Sequence, residues 1–418
     1  MHDKLWFIGG RAYDLAPFCA QHPGGHAAIT LGRGTNCTEL FKSYHLSRLP
    51  AATLKRYEVS VNPHDPDMAR LLQGAPFTFE ENGFYQTVQK RVRAHLLKTQ
   101  KGGAMGASRF VRVASLLGIA VVIALTYPAF VRGSLVAAVL LGVIKALVSV
   151  GPGHSMSHFS LFPRGDWNSL VFRAASPFMV STWTIWSASH VRSHHVHTLT
   201  ADDLQDNYPL KRVQPAFAHR WWHRAQHGYM WLVYLLGIPL WTLQDFVLGV
   251  ISLGTGRHMG AAFTLRERIE NVLILGFNIV FSMALPFFFL PWAHALAVSL
   301  IVNVISSLMI VTQIVVNHEV PDTMGASPLD SPVDWGVHQV LTSHNFGVDS
   351  ALALHLSGGL NMQVEHHLFP GLHYTHFPAV SAIVRSACAE FGLPYHASLS
   401  IFEAVGRHYQ VLKLNSQP

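Results

Sequence analysis

Apolar residues gather into four runs of roughly the length that a hydrocarbon core demands, about 20 helical residues. They are Val113 to Val131, Leu135 to Val150, Val272 to Leu290 and Ala295 to Val316, the second slightly short. The breaks within each pair are brief, Arg132-Gly133-Ser134 and Pro291-Trp292-Ala293-His294, so the pattern predicts two hairpins, each returning to the side it entered from. Two further apolar stretches, Leu170 to Trp186 and Met230 to Ile251, complicate the count. The second contains Pro239, Gln244 and Asp245, and a single crossing there would put segments on opposite sides that the hairpins keep together. Both stretches are read as interfacial or re-entrant helices.

Ahead of the first run, Glu80 to Thr99 mixes charges with Phe84, Val88, Val92 and Leu96 at four-residue spacing, which predicts an amphipathic helix approaching the membrane. Lys98, Lys101, Arg109 and Arg112 follow, and a cluster of cations beside a span marks the cytosolic end. The N-terminal part has a different rhythm of short apolar pieces and turns: Leu5 to Ile8, Gly9-Gly10, Ala12 to Leu15, then His22-Pro23-Gly24-Gly25. This predicts a small soluble α+β domain, closed by the linker signal Asn62-Pro63-His64-Asp65-Pro66. The expected organisation is therefore residues 1–62 as that domain, 63–112 as linker and amphipathic helix, and 113–418 as a mainly α membrane domain of four transmembrane helices.

Composition supports a membrane core with sizeable soluble parts: 50% of the 418 residues are hydrophobic, only 13% charged, and mean hydropathy is +0.26. The formal charge of +7 is dispersed and accompanies apolar segments, which suits an anionic leaflet better than nucleic acid; no nucleic-acid motif is present. Three cysteines, Cys19, Cys37 and Cys388, make no disulfide framework and suit reducing cytosol. Met1 to Gly10 lacks the apolar run of a signal peptide.

Candidate chemistry lies in the histidines. His154 and His158 are four apart, His190, His194 and His195 form H-x3-H-H, and Gln363, His366 and His367 form Q-x2-H-H. Residues four apart on a helix share a face, so His154 and His158 can hold one ion together, whereas adjacent histidines point apart and can serve two. Neutral nitrogen ligands with open positions are what iron needs to meet oxygen. The hairpins put all three groups on one side, where a single site can assemble.

This order of boxes resembles the front-end fatty acyl desaturases, membrane di-iron enzymes whose third box begins with Gln; the likeness runs through Gly-Leu-Asn-Met-Gln-Val-Glu-His-His-Leu-Phe-Pro-Gly-Leu (359 to 372) and covers nearly the whole chain. It adds His318, in Val-Val-Asn-His-Glu, as a further ligand. Residues 1–62 resemble the cytochrome b5 haem domain, matched at Trp6 to Ile8, Tyr13-Asp14 and His22-Pro-Gly-Gly. That resemblance implies His22 and His45 as the two axial ligands of a haem b, a coordination suited to electron transfer. Only five residues precede Trp6, where that family usually has a further strand and helix.

The resemblance implies an endoplasmic-reticulum enzyme with both domains cytosolic and two non-haem irons held by His154, His158, His190, His194, His195, His318, His366 and His367. Gln363 would act at the iron as a weak ligand or by orienting water. O2 would be the co-substrate, electrons would come from an NADH-cytochrome b5 reductase, and the substrate would be a fatty acyl lipid or acyl-CoA that receives a cis double bond. A sphingolipid desaturase or hydroxylase, and a multi-haem electron carrier, stay open as alternatives. His219, His223 and His227 form an H-x3-H-x3-H stripe outside the boxes, read as a surface or interface helix, and His26 is set aside because the ligand precedes the Pro. Asp202, Asp203, Asp206, Glu319 and Glu365 are candidates to orient the ligating rings. Lys145, inside the second run, either lines the substrate cavity or snorkels outward.

Overall fold

In a computed structural model, the structure describes residues 2–46, 51–100, 105–200, 202–205, 208–247, 263–324 and 332–418. Among these, four helical segments are long and apolar enough to cross a membrane: Arg109–Val131, Leu135–Ser157, Leu265–Phe288 and Trp292–His318. They fall on the four predicted runs and extend them by several residues. Ser108 and Ser134 cap the first two, their hydroxyls accepting from the N–H groups of Val111 and Ala137. The first and third spans are mostly exposed, whereas the second and fourth are half buried against each other. Phe110, Leu117, Val136 and Leu273 turn outward, as lipid-facing side chains do.

Small residues set the contact between the second and fourth spans. A Cβ on Gly142 would lie 3.0 Å from Ile305 Cβ, and Ser306 donates to the Gly142 carbonyl at 3.0 Å; such residues let transmembrane backbones approach. The hairpins join at their turns, where the His294 ring nitrogen meets the Gly133 carbonyl at 2.7 Å. Lys145 neither lines the cavity nor snorkels. It is buried and donates to Ser282 at 3.2 Å between the second and third spans, satisfying part of the ammonium's need at depth.

Neither of the two extra apolar stretches forms an unbroken helix of spanning length among the described residues. The first is broken into helices Gly165–Ala175 and Trp183–Trp186, and the second is interrupted at Leu236 between Gln226–Leu235 and Gly237–Phe246; residues 248–251 of the second lie outside the described residues. The helix expected over Glu80 to Thr99 is Phe84–Thr99 and buries the predicted Phe84, Val88, Val92 and Leu96. That face does not meet the membrane, however: it packs against the segment that follows the fourth span and caps the membrane domain, in one core with Trp335, Phe369, Phe377, Val380 and Val384.

The N-terminal domain holds an antiparallel sheet of Trp6–Ile8, Arg11–Tyr13 and Glu58–Val59. Gly9 and Gly10, both at positive φ, make its two-residue hairpin turn. Trp6, Ile8, Tyr13 and Leu15 form its core. Its helix Thr38–Tyr44 touches the short helix His195–His197 of the membrane domain.

Candidate metal centre

The spans deliver two histidines directly: His154 near the end of the second and His318 as the last residue of the fourth. Within the last part of the second, a wide π turn over Ser149–Gly153 leads into His154–Ser157. Another wide turn, Ser187–His194, carries the second group. In such a turn residues five apart align, so His190 and His195 fall together while His194 faces elsewhere. Helix Gln363–Leu368 carries the third group, and its adjacent histidines diverge.

The result is two clusters of buried imidazoles. His154, His158, His190, His195 and His366 make one, His194, His318 and His367 the other, and within each cluster one ring nitrogen per residue lies within 4.8 Å of the rest. His154 and His158 thus share a cluster, whereas both adjacent pairs, His194-His195 and His366-His367, are divided between the two. Gln363 joins the second cluster, its amide nitrogen 2.9 Å from His318 Nε2 and its oxygen accepting from Asn317 at 3.0 Å.

These residues suit a metal cation. His190 Nε2 lies 3.0 Å from His154 Nε2 and 3.2 Å from His195 Nε2, and the buried Nε2 atoms of His158, His366 and His367 have no hydrogen-bond partner. Converging lone pairs of this kind call for a positive centre. Burial, reinforced by the neighbouring imidazoles, holds His158, His190, His195, His366 and His367 well below the ordinary imidazole range, so the rings remain the neutral species that bind metal.

Five of the eight histidines are tethered through their outward nitrogen, as ligating histidines are, whereas His195 Nδ1 is buried without a partner. His194 Nδ1 meets Asp203 Oδ2 at 3.0 Å, His190 Nδ1 meets Gln205 Oε1 at 3.0 Å, and His367 Nδ1 meets Gln339 Oε1 at 2.8 Å. His318 Nδ1 donates to the Thr342 carbonyl at 2.8 Å, and His158 Nδ1 pairs with the Tyr44 hydroxyl at 2.7 Å. Burial pushes the Asp203 carboxyl up, but His194 beside it and the N–H groups of Gln205 and Leu199 outweigh that and hold it below the usual carboxylate range. Of the acids expected to orient the rings, Asp203 alone among the described residues does so. Asp202 is exposed, Glu319 pairs with Lys211, Glu365 accepts from Asn345 and Tyr395, and Asp206 lies outside the described residues. The partners that sequence reasoning missed, Tyr44, Gln205, Gln339 and Thr342, carry no motif that would have flagged them.

The histidine stripe is not one helix. His219 precedes the turn Trp221–Ala225 and meets the Ser416 carbonyl, while His223 is fully buried against Pro209 and Arg220; neither approaches the clusters.

A cavity of about 230 Å³ opens beside both clusters, touching His154, His190, His194, His318 and Gln363. Its walls are largely apolar, including Met179, Ile185, Trp186, Tyr234, Trp241, Ile310 and Ile314, with polar groups at Lys211-Glu319 and at Ser181-Asp245.

In the N-terminal domain the His22 and His45 rings lie opposite each other, with centroids 6.1 Å apart and planes at 64°. A ligating nitrogen sits about 2 Å from its metal, so the gap suits one iron flanked by two imidazoles. His22 Nδ1 pairs with the Gly25 carbonyl at 3.2 Å and His45 Nδ1 with that of Phe41 at 2.8 Å, leaving each Nε2 for the metal. Burial lowers both pKa values. His26 is exposed and starts a helix.

Comparison with known families agrees with both halves. The fatty acid desaturase family matches residues 131–399, and the cytochrome b5-like heme/steroid binding domain matches residues 1–62. The chain is 29% identical to a chloroplastic acyl-lipid (7-3)-desaturase of Chlamydomonas reinhardtii, over 97% of this chain and 79% of the relative. It is 26% identical to Delta(5) fatty acid desaturase A of Dictyostelium discoideum, over 98% and 90%, and 25% identical to an acyl-lipid (8-3)-desaturase of Mortierella alpina, over 99% and 94%. No solved structure matches it.

Proposed function

Because the chain belongs to the fatty acid desaturase family, we propose that it is a front-end acyl-lipid desaturase with its own cytochrome b5 domain, adding a cis double bond to an already unsaturated fatty acyl chain. The observation that carries this reading is the pair of buried imidazole clusters opening on an apolar cavity. Two non-haem irons would be held there, one by His154, His158, His190, His195 and His366, the other by His194, His318 and His367 with Gln363 beside them. Bound iron would supply the activation of O2 that takes a hydrogen from each of two neighbouring methylenes. The protein's own part is to hold the chain in one register, keep water out with the apolar wall, and fix the rings of His158, His190, His194, His318 and His367 through their Nδ1 partners. His22 and His45 would hold a haem b, which would receive electrons from an NADH-dependent reductase. The cations before the first span and the return of both hairpins support a multi-pass membrane protein with both domains on the cytosolic side, and the reading places it in the endoplasmic reticulum by its likeness to front-end desaturases.

Expression in yeast fed a panel of polyunsaturated acids tests the reading. The expected result is a new double bond, located by mass spectrometry, between the carboxyl end and the existing double bonds. Products confined to sphingoid bases, or hydroxylated chains, would overturn it.

A further inference from the structure

Each tether described above for the second cluster, and those of His190, comes from the membrane domain itself. His158 differs: its Nδ1 is met by Tyr44, which belongs to the N-terminal domain, 114 residues earlier in the chain. The two rings are nearly parallel, at 16°. Tyr44 is also held from behind, because a Cβ added to Gly371, four residues past His367, would lie 3.0 Å from Tyr44 Cδ1. The end of its helix is pinned as well, the Lys42 carbonyl accepting from Gln89 Nε2 at 3.0 Å and from the Tyr85 hydroxyl at 3.3 Å.

We propose that Tyr44 is a positioning residue of the metal centre, contributed by the haem domain: its hydroxyl accepts from His158 Nδ1–H and thereby aims the unpartnered Nε2 of His158 into the five-histidine cluster. The inference rests on reading that cluster as a metal site. A neutral imidazole has one N–H and one lone pair, so an outer partner that accepts at Nδ1 fixes the tautomer in which Nε2 binds metal. Tyr44 is followed directly by His45, so one peptide link and one hydrogen bond join the imidazole opposite His22 to an imidazole of the cluster. Docking of the N-terminal domain is then part of the metal site's construction, beyond its role as electron donor.

Tyr44→Phe removes the hydroxyl and keeps the ring against Gly371. In the purified full-length protein, haem absorbance should stay at the level of the unsubstituted protein, because His22 and His45 are untouched. Non-haem iron should leave to a ferrous chelator about tenfold or more faster, in line with the 10–100-fold loss of affinity typical when such an outer partner is removed. The electron paramagnetic resonance spectrum of the nitric oxide adduct of the non-haem iron should change shape. Unchanged iron release and an unchanged spectrum would reduce Tyr44 to a packing contact and overturn the proposal. So would loss of haem and iron together, which would mean that the ring, and not its hydroxyl, holds the domains. Absence of non-haem iron from the unsubstituted protein would instead remove the metal-site reading itself.

Discussion

At the level of single residues, a ligating imidazole is defined by both of its nitrogens, and the outer one decides how firmly the inner one is aimed. Asp203 makes the only charged tether found among the described residues, and it also ties the turn after the second histidine group through the N–H groups of Leu199 and Gln205. Asp203→Asn should therefore weaken iron retention about 10–100-fold, checked by chelator competition on purified protein, with haem absorbance unaltered. Gln363 is governed by a different balance. Its oxygen accepts from Asn317 Nδ2 while the Asn317 Oδ1 is left without a partner, so turning both amides over together would offer the Gln363 oxygen to the cluster and let its nitrogen donate to Asn317 Oδ1. Gln363→Ala should lose most activity while the protein still inserts and binds haem; unchanged turnover and iron content would exclude a role at the iron. The three boxes were legible in the sequence because their spacing is local. Gln339 and Tyr44 were not, because they reach His367 and His158 from 28 and 114 residues away and a lone Gln or Tyr has no spacing to betray it.

At the level of elements, hydrophobic length located the four spans, and the brevity of the turns gave their pairing. What the pattern did not reveal was the work of the shorter apolar helices, because periodicity reports that a face is buried and is silent on what covers it. Helices Gln226–Leu235 and Gly237–Phe246 wall the cavity with Met230, Tyr234 and Trp241, and Phe84–Thr99 builds the cap core, not a membrane surface. The same blindness applies to Glu319, which sits beside His318 of the second cluster in sequence yet turns to Lys211, with Nζ 2.6 Å from Oε2. Lys211 is almost fully buried, at 1% exposure, and lies over the Tyr234 ring. Removing one partner of a buried pair leaves an uncompensated charge and costs about 3–5 kcal/mol. Glu319→Gln should thus lower the thermal midpoint of the detergent-solubilised protein clearly, whereas the double change Glu319→Gln with Lys211→Met should recover much of the loss. A double variant no more stable than the single one would show that the pair's charge balance is not what matters.

At the level of the whole molecule, the two domains meet through the haem-side loop as well as through Tyr44, and the histidines buried in the cap set its acid limit. Burial lowers His344 and His408 to about 4. Below about pH 6.5 the unfolded chain takes up these protons and the folded one does not, so stability falls as pH drops from 6.5 towards 4, by about 1.4 kcal/mol per unit for each histidine. Neither residue adds a pH dependence above 6.5. Thermal unfolding should accordingly shift down between pH 7 and 5, and a flat profile would count against their buried neutral state. The docking surface was not legible from the sequence, since each half carries a self-sufficient pattern, but its geometry is demanding. A Cβ on Gly165 would lie 1.5 Å from the Gly24 carbonyl oxygen, and Asp166 accepts from the Ala27 N–H at 3.3 Å. No side chain fits between these backbones, so Gly165→Val must push the haem loop off the start of helix Gly165–Ala175. The N-terminal sheet and His45 lie away from that contact, and the tie of His22 Nδ1 to the Gly25 carbonyl lies within the N-terminal domain, so haem absorbance should persist. Proteolysis between the domains near Asn62 to Asp65 should speed up, and desaturation driven by NADH and reductase should fall at least tenfold. Wild-type turnover in Gly165→Val would mean that productive transfer does not use this docked arrangement.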